Sequence, residues 1–188
     1  KANMPTERYG LSASVVNDKI YAIGGWNDFA LSTVEEYDPR TDTWTQKADM
    51  PGARYALSTS TVNGRIYAIA GATDVEKVGN TFEYDPATNT WTQKSDMPLF
   101  WSWAFWVTTS VVDERMYAFG GDKELHVQAL AHISDYDPAA DTWTKRGNMS
   151  TPRVTASSAV DGRIYVIGGW SHWHDQEEDE GFLSSVDV

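Results

Sequence analysis

The chain has 188 residues, a formal net charge of −12 and no cysteine. The acidic excess argues against a nucleic-acid partner, since phosphate binding draws on clustered Lys and Arg, and against anionic membrane surfaces. The missing thiols exclude disulfides and thiolate chemistry, and no apolar run reaches the roughly 18 residues of a membrane-inserted span.

Taken in chain order, the first predicted element is the small-residue strand Ser12-Ala13-Ser14-Val15-Val16. Small side chains suit a strand crowded against neighbours. Asn17-Asp18 then forms a two-residue hairpin turn, a place that favours residues tolerant of positive φ. The apolar run Ile20-Tyr21-Ala22-Ile23 reads as a second strand buried on both faces, and Gly24-Gly25 ends it with a sharp turn. After a loop, a third strand ends at Tyr37. Asp38-Pro39 opens a tight connection through Asp42 to a fourth strand carrying Trp44.

The same unit then returns. Tyr84-Asp85-Pro86 with Trp91 and Tyr136-Asp137-Pro138 with Trp143 repeat the phrase, at Tyr-to-Tyr steps of 47 (84 − 37) and 52 (136 − 84) residues. Small strands recur at 58–62, 108–112 and 156–160, followed by turns at Asn63-Gly64, Asp113-Glu114 and Asp161-Gly162. Gly120-Gly121 and Gly168-Gly169 match the first Gly pair, while the second unit has Ala70-Gly71. Ser184-Ser185-Val186-Asp187-Val188 aligns with residues 32–36, so the fourth unit lacks its outer strand. A period near 50 signals a repeat architecture, and helical periodicity is not evident.

Gly-Gly followed by spaced Tyr and Trp, in units of this length, resembles the kelch repeat. The resemblance covers essentially the whole chain. It implies an all-β fold: a β-propeller of kelch-type four-stranded antiparallel blades. About four blades are expected, near residues 9–47, 55–94, 105–146 and 154–188, as one array within a larger ring. An open arc leaves blade faces bare. A longer chain, a homodimer completing the ring, or closure of four blades on themselves would each cover them.

In such a blade the loops after the second and fourth strands share one face. They are the long, varied ones, and variation of that kind marks a binding face. The first of these loops offers Trp26, Asp28 and Phe29, and the last offers Trp170 and Trp173. His172, His174, Asp175 and Glu177 form a weak candidate set for a divalent metal, against the alternative of a solvated acidic loop. No firm metal site and no other cofactor is expected. An aromatic insertion before the third blade contributes Phe100, Trp101 and Trp103. Exposed Trp anchors sugars and protein partners, although these rings would also fill an inter-blade core. Arg8, Arg54 and Arg153 each follow a Met by four residues. A ring of them near the axis would hold an anionic ligand, unless they serve internal salt bridges or stack on aromatic rings.

The resemblance implies a non-enzymatic interaction module with a protein or glycan partner. The alternatives are a kelch-type enzyme resembling sialic-acid isomerases and a purely structural repeat of a larger secreted or surface protein. The copper-oxidase variant needs a Tyr cross-linked to Cys, which this chain cannot build. An exported or cell-surface bacterial protein is favoured over a cytoplasmic one.

Overall fold

A computed structural model describes residues 1–76, 78–98, 106–122, 129–171 and 183–187, and every element among them is a strand. The first sheet comprises β1 (Ser12–Val16), β2 (Lys19–Ile23), β5 (Val34–Asp38) and β6 (Thr43–Gln46). A two-residue hairpin, β3 (Trp26–Asn27) and β4 (Phe29–Ala30), projects from its β2–β5 loop. The second sheet is β7 (Ser58–Val62), β8 (Arg65–Ile69), β9 (Thr81–Asp85) and β10 (Thr90–Lys94). The third is β11 (Thr108–Val112), β12 (Arg115–Phe119), β13 (His132–Asp137) and β14 (Thr142–Asn148). The fourth holds three described strands, β15 (Val154–Val160), β16 (Arg163–Trp170) and β17 (Val186–Asp187). All pairings are antiparallel between chain neighbours, the meander of a propeller blade.

Local chemistry accounts for each blade. The β1–β2 turn places Asn17 and Asp18 at φ 50° and 61°, and Asn63-Gly64, Asp113-Glu114 and Asp161-Gly162 take the same left-handed pair of conformations. β2 and β8 are buried on both sides, which is why they read as unbroken apolar runs. The small strands β1, β7, β11 and β15 line up side by side along the inner edge. Gly24 needs to be glycine: its φ is +64°, and a Cβ there would sit 2.6 Å from the carbonyl oxygen of Arg54 in the next blade. In the fourth blade the strand does not end at the Gly pair. β16 runs through Gly168 and Gly169 to Trp170, and the pairing with β15 absorbs them as a register shift between Val154 and Ala156.

Neighbouring blades bury one another. Val16, Tyr21, Ile23 and Val34 on the first blade pack against Ile66, Ala68, Phe82 and Tyr84 on the second. The second and third share a cluster around Tyr67, Ile69, Met116 and Tyr136, and the third meets the fourth through Phe119, Met149 and Val166. No blade encloses a core alone, so stability comes from these seams.

The signature residues tie the outer ends together. Tyr37, Tyr84 and Tyr136 donate their hydroxyls to Asp42, Asn89 and Asp141 at 2.6, 2.8 and 2.6 Å. Those same acceptors take the backbone N–H of Ala2, Ala48 and Ser95 in the segment entering each blade. The indole N–H of Trp44, Trp91 and Trp143 closes the loop on the carbonyls of those three residues.

Candidate functional site

The loops after the second strands and those that enter each blade meet on one face. Tyr9 and Trp26 exchange backbone hydrogen bonds, Tyr9 N–H to Trp26 O at 3.1 Å and Trp26 N–H to Tyr9 O at 2.8 Å. This pins the entering segment to the β3–β4 hairpin. Asp28, at φ 62°, turns the hairpin so that Phe29 points outward. The Trp26 ring meets the edge of Tyr55 from the second blade, with centroids 4.9 Å apart and planes at 71°. Ala30 N–H donates to Asp74 Oδ1 at 2.7 Å, so the first two loops brace each other. Between the entering segment and the hairpin of the first blade lies an open cleft of about 280 Å³ lined by Glu7, Arg8, Tyr9, Trp26, Asn27 and Asp28.

Two of its lining residues, Tyr9 and Trp26, are aromatic. Tyr9 is 63% exposed, and Phe29, next along the hairpin, is 56% exposed. Closer to the axis, Gly10, Ala56 and Trp106 occupy equivalent places at φ 63°, 53° and 57°. Ala56 N–H donates to Gly10 O at 2.7 Å and Trp106 N–H to Ala56 O at 2.9 Å, a backbone chain running from blade to blade. It leaves the Trp106 side chain partly exposed beside the axis. The arrangement offers flat apolar surfaces next to carboxylates and a carboxamide. It suits a ligand with both apolar faces and hydrogen-bonding groups.

The expected site residues divide. Trp26, Asp28 and Phe29 come together as the hairpin. Trp170 ends β16 in the fourth blade, half-buried, and belongs to that blade's own loop. Phe100, Trp101 and Trp103 of the insertion, and His172, Trp173, His174, Asp175 and Glu177 of the last loop, lie outside the described residues. Among the described residues, no three His, Cys, Asp or Glu side chains gather as a metal-binding group.

The arginines are turned inward. Arg54 is 2% exposed and Arg153 0%. Arg54 Nη1 donates to the carbonyls of Ala70 and Asn80, and its guanidinium stacks 4.8 Å from the Phe82 ring centroid. Burial pulls its pKa down to about 10, partly opposed by Asp96, which still leaves it charged at neutral pH. Arg153 repeats the pattern on the carbonyls of Gly168 and Ser185. The Arg8 side chain, also without solvent exposure, pairs with Glu35 at 2.9 Å. Its pKa is lowered by burial, with Glu35 acting against the shift. Arg54 and Arg153, with almost no accessible surface, tie the scaffold together, while Arg8, its side chain held on Glu35, backs the cleft that it lines. Conversely, nothing in the sequence singles out Tyr9, and only its exposure separates it from a core ring.

A family model described as "Attractin/LZTR1 beta-propeller" matches residues 1–187. Alpha-scruin of Limulus polyphemus is 35% identical over 77 residues, 40% of this chain and 8% of that protein. N-acetylneuraminate epimerase of Pasteurella multocida (strain Pm70) is 43% identical over 68 residues, 32% of this chain and 18% of that enzyme. The matches thus span less than a fifth of either relative's length. Among solved structures, that of YjhT aligns with a TM-score of 0.72 at 12% identity, over 98% of this chain and 82% of that one. At that identity the likeness shows the fold alone.

Proposed function

The chain belongs to the Attractin/LZTR1 β-propeller family, and from that premise we propose that it is a non-catalytic binding module for a protein or glycan partner. The partner contacts the face built from the post-glycine loops and the blade-entering loops. The observation that carries the reading is the cleft beside Trp26. Tyr9, more than half exposed, lines it with Asn27 and Asp28, and Phe29, also more than half exposed, follows Asp28 in the same hairpin. Large aromatic side chains left in water on a braced loop serve as anchors, because they bury much area with few rotors to freeze. Carboxylate and carboxamide groups beside them set orientation through hydrogen bonds.

A glycan array probed with wild-type protein and with the Tyr9→Ala/Phe29→Ala variant tests the glycan arm. The expected outcome is retention of one or a few glycans by wild type and loss of roughly ten-fold or more in the variant, at an unchanged unfolding midpoint. Equal retention by both would remove the cleft from the binding face.

A second reading, a sugar-converting enzyme, rests on the 43% identity to N-acetylneuraminate epimerase. Incubation with N-acetylneuraminate, followed by NMR of the anomeric signals, separates the two. Catalysed interconversion favours the enzyme, and a spectrum that evolves at the protein-free rate favours the module.

A further inference from the structure

We propose that Asn148 is an acceptor for an N-linked glycan, and that the chain carries one oligosaccharide there, at the entrance to its fourth blade. Asn148-Met149-Ser150 has the Asn-x-Ser form that such transfer reads, with a residue other than Pro in the middle. None of the other asparagines is followed two places on by Ser or Thr. At the same place in the repeat the earlier units read Asn3-Met4-Pro5, Asp49-Met50-Pro51 and Asp96-Met97-Pro98. Asp offers no carboxamide nitrogen and Pro no hydroxyl, so each of those triplets lacks a group that the fourth supplies.

The fold presents this triplet to water. Met149 is buried and packs with Phe119 and Val166 in the seam between the third and fourth blades. Its N–H donates to Ala131 O at 2.7 Å, as Met50 N–H donates to Ser32 O at 2.9 Å and Met97 N–H to Gly79 O at 2.8 Å. With the middle residue held inward, the residues on either side of it, Asn148 and Ser150, are both exposed. Asn148 is the last residue of β14, the outermost strand of its blade, where its backbone pairs with His132. Its carboxamide makes no hydrogen bond with another of the described residues. Asn89 is the contrast: its carboxamide oxygen takes the Tyr84 hydroxyl at 2.8 Å and the Ala48 N–H at 2.8 Å, so it is committed to the fold. A carboxamide that ties nothing, on an outer strand, can carry a bulky hydrophilic group without disturbing a seam.

The co-substrate is an oligosaccharide carried on a lipid pyrophosphate. The Asn148 carboxamide nitrogen forms a bond to the anomeric carbon of the sugar. The bond between that carbon and the pyrophosphate oxygen breaks, the lipid pyrophosphate leaves with the electron pair, and one carboxamide proton passes to a base. The Ser150 hydroxyl is a recognition element and is not itself altered. Such transfer acts on exported chains, so the proposal includes export. It is independent of the cleft on the first blade, and neither depends on the other.

Expression of the full chain behind a secretory leader in a eukaryotic cell tests the assignment. Secreted wild type is expected to run one glycan step above the same chain made in a bacterial cytoplasm. Peptide N-glycosidase should remove that step and leave Asp at position 148, which peptide mass spectrometry locates. Asn148→Gln and Ser150→Ala should each lose the step completely, and Ser150→Thr should keep it. Asn148→Gln changes an exposed side chain with no internal hydrogen bond, so its unfolding midpoint should match that of deglycosylated wild type. Translation into microsomes gives the same readout for any variant that is not secreted. Wild type that enters the compartment and gains no glycosidase-sensitive step, or a step that persists in Asn148→Gln, overturns the proposal.

Discussion

Tyr37, Tyr84 and Tyr136 do the same job with acceptors that differ in one respect: Asp42 and Asp141 titrate, and Asn89 does not. The tyrosine hydroxyl, as the first cause, holds both aspartates below the usual carboxylate range, with help from the entering backbone N–H of Ala2 or Ser95. A carboxylate whose folded pKa is depressed contributes stability above its unfolded value, near 4, and loses that contribution as pH falls through the lower folded value. Replacing Asp42 and Asp141 by Asn should therefore flatten the fall of Tm below about pH 4, because the acceptor oxygen is kept and the titration removed. Thermal unfolding across that range checks it, and an unchanged acid limb would assign the acid sensitivity elsewhere. Tyr136→Phe tests the bond itself. Its ring is fully buried, so the loss should be about 0.5–1.5 kcal/mol at neutral pH.

At the scale of the element, the inner strands hold the array together with hydroxyls as well as packing. Thr59→Val keeps the shape of β7 but strands the hydroxyl of Ser14 and removes one of two contacts of Ser12 Oγ, which still accepts from the residue-59 amide at 3.0 Å. The expected loss is about 1–3 kcal/mol by urea unfolding. Ala13→Ser, at an exposed position of β1, should change little in the single chain. Equal effects would mean that the inner strands contribute through packing alone. This element-level logic was largely legible in the sequence. Small alternating strands, Asn-Gly and Asp-Gly turns and the spaced Tyr and Trp each have a local physical cause that survives in the fold. What escaped was relational. The run Ile164-Tyr165-Val166-Ile167 followed by two glycines gave no sign that β16 continues to Trp170, because that depends on the register with β15. Arg54 and Arg153 read equally well as ligand cations or as internal ties. Only the carbonyls of the Gly-pair position and of the third-strand entry, brought close by the fold, decide for the tie.

For the whole molecule, the proposed function puts the partner on one side of a radial fan of sheets. The opposite side carries short, nearly constant turns, with Thr88 exposed at the tip of the second. A photo-reactive phenylalanine analogue at position 29 or at position 88 asks the molecule which side is used. Each variant is irradiated in an extract of cell-surface glycoproteins, and cross-linked adducts are counted by mass. Adducts that form from position 29, are absent from position 88 and disappear when Tyr9→Ala is added are the expected result. Adducts from position 88 alone, or equally from both, would contradict the assignment of the binding face.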